Sequence, residues 1–401
     1  GTLTSGGMNL NNAASKLLLN SITLDSTSTS SNSLGVDVDA NSTVTTLAIG
    51  HITPVSIADG VSLSGGINVT AGSLKLNEAG TLASTVAMSG GTLDIDETAT
   101  VSGALTQSGN ITIDVAANKT LTYSGTAIGV GANTLTLSGG GTLSNTNAFV
   151  LNNAQSKLLL NSITLDGTTT SSDSLGIDVD ANSTVTTLAI GHVTPVSIAD
   201  GVSLSGAITV SAGSLKLTET GTLDSTVSMS GGTLDADETA TVSGVLTQSG
   251  NITIDVLTDK TLTYSGAALN LGANTLTLSG GGTLSNTNAF VLNNADSLLS
   301  LSGITTLGDI DGTAASNQNK GVSVTSSATM GDYDLSAVSY LSIGGAGVTL
   351  AGQLNLNPGG EMITSGEGKY TGDIELAGGT FNATDSLTLD GTVSITADSE
   401  I

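Results

Sequence analysis

The chain has 401 residues, 38% of them hydrophobic and only 10% charged, and its 34 acidic residues against eight basic ones give a formal net charge of −26. That balance excludes nucleic acid as a partner, because phosphate binding needs basic patches that release counterions, and it suits anionic membranes no better. Cysteine is absent and aromatics make up 2%, so neither a disulfide framework nor a thiolate metal site can form. A thin core filled by aliphatic side chains, without large rings, is expected.

No apolar run approaches the roughly 18 residues that would span a bilayer, and residues 1–20 lack a basic segment followed by an apolar one. No direct membrane insertion is expected of this segment. A cysteine-free chain of this kind suits export, so the expected location is extracellular, on a bacterial cell surface.

In chain order, residues 1–14 read as the end of a preceding repeat unit: GTLTSGGMNLNNAAS aligns with GTLSNTNAFVLNNAQS from Gly141. The expectation is that the parent protein continues toward the N terminus. Residues 15–155 form repeat unit 1 and residues 156–296 repeat unit 2, closely similar and without a gap at a constant offset of 141. The pairs include SKLLLNSITLD at Ser15 and Ser156 and DANSTVTTLAIGH at Asp39 and Asp180. Residues 297–401 are a divergent third repeat, read as a cap or an interaction segment.

Within each unit, short runs alternate apolar and polar residues: SLKL at Ser73, TLDID at Thr92, NITIDV at Asn110, TLTY at Thr120, TLTL at Thr134. A period of two marks half-buried strands. Helix lacks support, because Gly, Ser, Thr and Asn fill the positions where helix formers would sit. Gly and Ser junctions such as Gly90-Gly91 supply the sharp turns between strands, and the prolines Pro54, Pro195 and Pro358 are read beside turns. The expected fold is all-β: a single-stranded parallel β-helix, or β-solenoid, with about 20 residues per rung and about seven rungs per unit. Some twenty rungs at about 4.8 Å would make an elongated rod on the order of 95 Å.

The phrases TLTLSGGGTLSNT and AGSLKLNEAGTL resemble the strand repeats of bacterial autotransporter passengers and related surface adhesins. The resemblance covers most of the chain and implies a parallel β-helix on the cell surface; it specifies architecture more than activity.

Paired carboxylates are the residues best suited to chemistry. Asp37 and Asp39 recur as Asp178 and Asp180, and Asp94 and Asp96 recur as Asp235 and Asp237. Alternation places each pair on the outer face, where oxygen clusters hold Ca²⁺ if six to eight ligands converge. A solvated acidic face is the better explanation of them, so Ca²⁺ is the weak candidate and no other cofactor is expected. Asp309 and Asp311 are similar but lack the remaining ligands of a calcium loop. His51 and His192, the same position in successive units, read as turn residues. With no arginine, no tryptophan and each acidic pair duplicated, no enzyme activity is expected.

The leading expectation is a structural protein that forms or extends a surface fibre, stalk or coat, self-associating end to end or into a layer. The alternative is an adhesin that binds a glycan or a cell-surface receptor through residues 297–401, where Tyr333, Tyr340, Tyr370 and Phe381 lie. Ice binding would need regular T-x-T columns on one face, and the sequence does not display them.

Overall fold

The computed structural model describes residues 1–30, 33–171, 174–312, 318–385 and 387–401. No helix occurs among them. The chain is a parallel β-solenoid of about 19 turns, with successive turns roughly 20 residues apart. It divides into two compact units, Gly1–Gly206 and Ala207–Ile401.

Each turn has two walls. A straight wall is one strand, such as Ser73–Leu76. The bent wall is either one strand kinked at its middle, such as Ser62–Val69, or two short strands, such as Thr81–Leu82 and Thr85–Met88. Its halves form a first arm and a second arm. Alternation decides what faces inward: in Ser73–Leu76, Leu74 and Leu76 are buried while Lys75 points out.

In the first unit, parallel pairing stacks one inward file along the straight wall: Leu74, Leu93, Ile113, Leu137, Leu160, Val179 and Ile198. The second unit has the matching file of Leu215, Leu234, Ile254, Leu278, Leu301, Val324 and Ile343. A side chain such as Leu93, fully buried, contributes roughly 1.5–3 kcal/mol. Turn length varies around the expected value: the step that stacks Leu93 on Leu74 is short, and the step that stacks Leu137 on Ile113 is longer.

The kink in the bent wall is a β-bulge. Where Ser42–Ile49 pairs with Ser62–Val69, the register shifts between Val44 and Leu47. Gly65 sits opposite with φ +114°, and a Cβ there would collide with the Val44 carbonyl. Only glycine fits.

Two readings of the sequence need correction. Pro54 and Pro195 lie inside straight-wall strands, Thr53–Ile57 and Val193–Ile198, while Pro358 alone is at a turn. The strand tolerates Pro54 because pairing with the preceding turn begins only at Val36 and Val55, just past the ring. Large rings also do enter the core. Tyr123, Tyr264, Tyr333, Tyr370, Phe149, Phe290 and Phe381 are all buried, and Tyr340 is the exposed aromatic. Tyr123 sits where turns are wide, stacked between Val101 and Asn145; a longer turn encloses more volume, and a ring fills it.

Candidate functional site

The outer face of the straight wall carries the charged chemistry. Strand pairing sets Lys75, Asp94, Asp114 and Ser138 in one axial file, and unit 2 repeats it as Lys216, Asp235, Asp255 and Ser279. The Lys75 ammonium lies 3.1 Å from Asp94 and 2.7 Å from Asp96. Lys216 makes the same pairs, 3.1 Å from Asp235 and 2.7 Å from Asp237. Ser138 donates to Asp114, and Ser279 to Asp255.

Cross-turn pairing is general. Lys16 meets Asp37 at 2.6 Å and Lys157 meets Asp178 at 2.5 Å. Lys119 and Lys260 reach Glu97 and Glu238, each at 2.6 Å. Lys320 pairs with Asp296 and Lys369 with Asp390. All eight lysines therefore clip one turn to a neighbouring turn. Of the Ca²⁺ candidates, Asp37, Asp94, Asp96, Asp178, Asp235 and Asp237 each face a lysine, whereas Asp39 and Asp180 lie in exposed positions near the strand ends. Among the described residues, no group of three or more histidines or carboxylates is placed to hold a metal ion.

Electrostatics follow the geometry. Hydrogen bonding to Asp96 raises the Lys75 pKa, and Asp237 does the same for Lys216. Burial pushes the Asp94 and Asp235 carboxyls upward, against the pull of their lysines. Desolvation outweighs the ion pair for these two half-buried acids. Asp390, freely solvated, is instead lowered by its hydrogen bond from Lys369.

An open groove of about 420 Å³ runs beside the first file, lined by Ile52, Ser73, Thr92, Asp94, Thr112 and Asp114. Its carboxylates already accept bonds from Lys75 and Ser138. His51 and His192 are exposed at turns, as the sequence suggested, and their backbone carbonyls accept from the hydroxyls of Thr53 and Thr194.

The first arm carries a regular hydroxyl column that the sequence concealed. Thr120, Thr142, Thr164 and Thr184 stand in register, and so do Thr261, Thr283, Thr306 and Thr329. The next outward column along the same strands is mixed, running Thr122, Ser144 and Asp166, so a two-column T-x-T array is not formed here. In residues 297–401, the aromatic surface expected of an adhesin reduces to Tyr340, which accepts a 3.0 Å bond from Gln318.

Sequence reasoning missed the lysine clips. The signal was there: Lys75 and Asp94, like Lys216 and Asp235, are separated in sequence by the length of one turn. Comparison with protein-family models, curated proteins and solved structures finds no match.

Proposed function

We propose that this chain is a structural spacer of a bacterial cell surface, a repeat segment whose number of turns sets the reach of a fibre, stalk or coat. Growth by end-to-end association is the second part of the proposal, since a strand edge left open at the end of a solenoid pairs readily with another. The resemblance to autotransporter passengers and surface adhesins supports the location.

The observation that carries the reading is how the second repeat reproduces the first. Its lysine clips, the Thr120–Thr142 step of the hydroxyl column and the Leu93–Ile113 step of the inward file recur at the same offset. Duplication has added turns whose exposed groups are largely those of the first copy, with exchanges such as Ala83 to Asp224 and Asn118 to Asp259. A binding or catalytic protein gains little from copying its whole scaffold; a spacer gains length.

The test is imaging of single particles. A variant lacking residues 15–155 should give rods about 34 Å shorter than the full chain, seven turns at about 4.8 Å each. Compact particles for both chains, or rods of equal length, would refute the spacer function.

A further inference from the structure

The stacking of turns is interrupted at one place in each of the first two repeats. On the straight wall, Thr92–Ile95 pairs with Ile111–Val115, and on the first arm Ala99–Val101 pairs with Thr120–Tyr123. On the second arm, Leu105–Gln107 pairs with the turn before it, and Ile128–Gly129 pairs with the turn after it. No strand pairing joins Leu105–Gln107 to Ile128–Gly129 among the described residues. The same break separates Leu246–Gln248 from Leu269–Asn270 in the second unit.

Backbone alternation shows which groups face the break. The amides of Ile128 and Val130 donate to Ala148 and Val150 in the following turn. Gly129, between them, therefore faces the preceding turn. By the same alternation Thr106 bonds to the preceding turn and Gln107 faces forward, since the Ser108 amide donates to Met88. Gln107 and Gly129 thus look at each other across a slit in an otherwise hydrogen-bonded wall. In unit 2 the slit is an open groove of about 340 Å³ lined by Val245, Leu246, Thr247, Gln248, Ala267 and Asn270.

Side chains span the gap in place of strand pairing. The buried Tyr123 hydroxyl accepts from the Leu105 amide at 3.0 Å and donates to the Thr126 carbonyl at 2.7 Å. Tyr264 repeats this with Leu246 at 3.2 Å and Ala267 at 2.5 Å. The Gln248 carboxamide adds a 3.1 Å bond to the Leu271 carbonyl. The divergent third repeat supplies an internal contrast. Buried Tyr370 donates to Gly352 there, but Leu354, Asn355 and Leu356 pair in full with Ile374, Glu375 and Leu376. A buried tyrosine does not by itself open the wall.

We propose that each slit is a built-in hinge: one rung step in each of the first two repeats where the second arm opens first, braced by a tyrosine hydroxyl, while the straight wall and first arm stay paired. The hinge stands on the strand pairing alone and does not depend on the spacer reading. If the chain is a spacer, the hinges make it yield at fixed, repeat-spaced points instead of along its whole length.

The experiment is native-state hydrogen exchange on the full chain, read by mass spectrometry with fragmentation to single residues. Ala104 and Val245 give the two otherwise matching peptides different masses. The Gln107, Gly129, Gln248 and Asn270 amides should exchange at least about tenfold faster than those of Thr85–Met88 and Ile374–Leu376, as expected for a local opening. Tyr123→Phe, which keeps the ring, should speed exchange of the Leu105 amide by about tenfold and leave Ile111–Val115 unchanged. Equal protection on both sides of the comparison would overturn the hinge. An unchanged Leu105 amide in the phenylalanine variant would overturn the brace, with the wild-type comparison still deciding the hinge.

Discussion

Thr169 shows how a single residue is fitted to its neighbour along the axis. Its strand position pairs with Phe149 in the turn below, both are fully buried, and its hydroxyl has no hydrogen-bond partner. At the matching step of the third repeat, Phe290 pairs with Ile310. The space beside the ring therefore accepts an apolar side chain. Thr169→Val should stabilise the fold by about 1 kcal/mol, because it removes an unpaired buried hydroxyl at nearly constant volume. Thr194→Val should do the opposite by a similar amount, since the Thr194 hydroxyl donates to Ser171 at 3.0 Å. Thermal melting of both variants checks this; a shift of the same sign in each would show that partner satisfaction is not what matters. Neither outcome was legible in the sequence, where both residues are threonines with nothing in their surroundings to tell them apart.

The charged ladders belong to the scale of paired strands. Lys75 and Lys216 hold their protons more tightly in the fold than in the unfolded chain, chiefly through Asp96 and Asp237. This contribution is complete below the unfolded lysine pKa of about 10.4 and is lost as pH rises through the folded value. Burial raises the Tyr333 and Tyr370 phenols as well. The unfolded chain ionises these tyrosines above about pH 10 while the fold keeps them neutral, so they too favour unfolding at alkaline pH. The melting temperature should therefore hold between about pH 8 and 9.5 and fall beyond about pH 10. In a Lys75→Met, Lys216→Met variant the plateau should drop by roughly 1 kcal/mol per site and the alkaline decline should be shallower. A variant that tracks the wild type across the whole range would show that the clips contribute nothing.

At this scale the sequence was most readable. Alternation in SLKL, TLDID and TLTL identified the strands and their inward leucines, because a strand's two faces differ at every second residue. The acidic pairs were correctly placed on the outer face, but their partners were not foreseen. A lysine one full turn away is distant in sequence and adjacent in space only once the turn length is fixed. The same limit hid the threonine column and the slit, both of which depend on which residue stacks on which.

For the whole molecule, turn length is the unit in which the chain can be edited. Removing residues 73–91 takes out one complete turn and brings Leu93 to the position of Leu74, its own pairing partner. That deletion should fold and melt within a few degrees of the full chain. Removing only residues 73–81 leaves a partial turn that can no longer set Leu93 on its neighbour in register, and it should abolish the cooperative melt. Circular dichroism on the two variants distinguishes them, and equal stability would mean that stacking register is not what holds the turns.

The lysine clips also determine how neighbours meet. Every lysine is bound to a carboxylate of its own chain, so no lysine is left over to offset the formal net charge of −26. Chains standing side by side would repel at close range, and the gap between them would follow the screening length of the medium, about 10 Å at 0.1 M salt and about 3 Å at 1 M. Spacing in such a layer would be an adjustable property of the surrounding water and not a dimension of the protein.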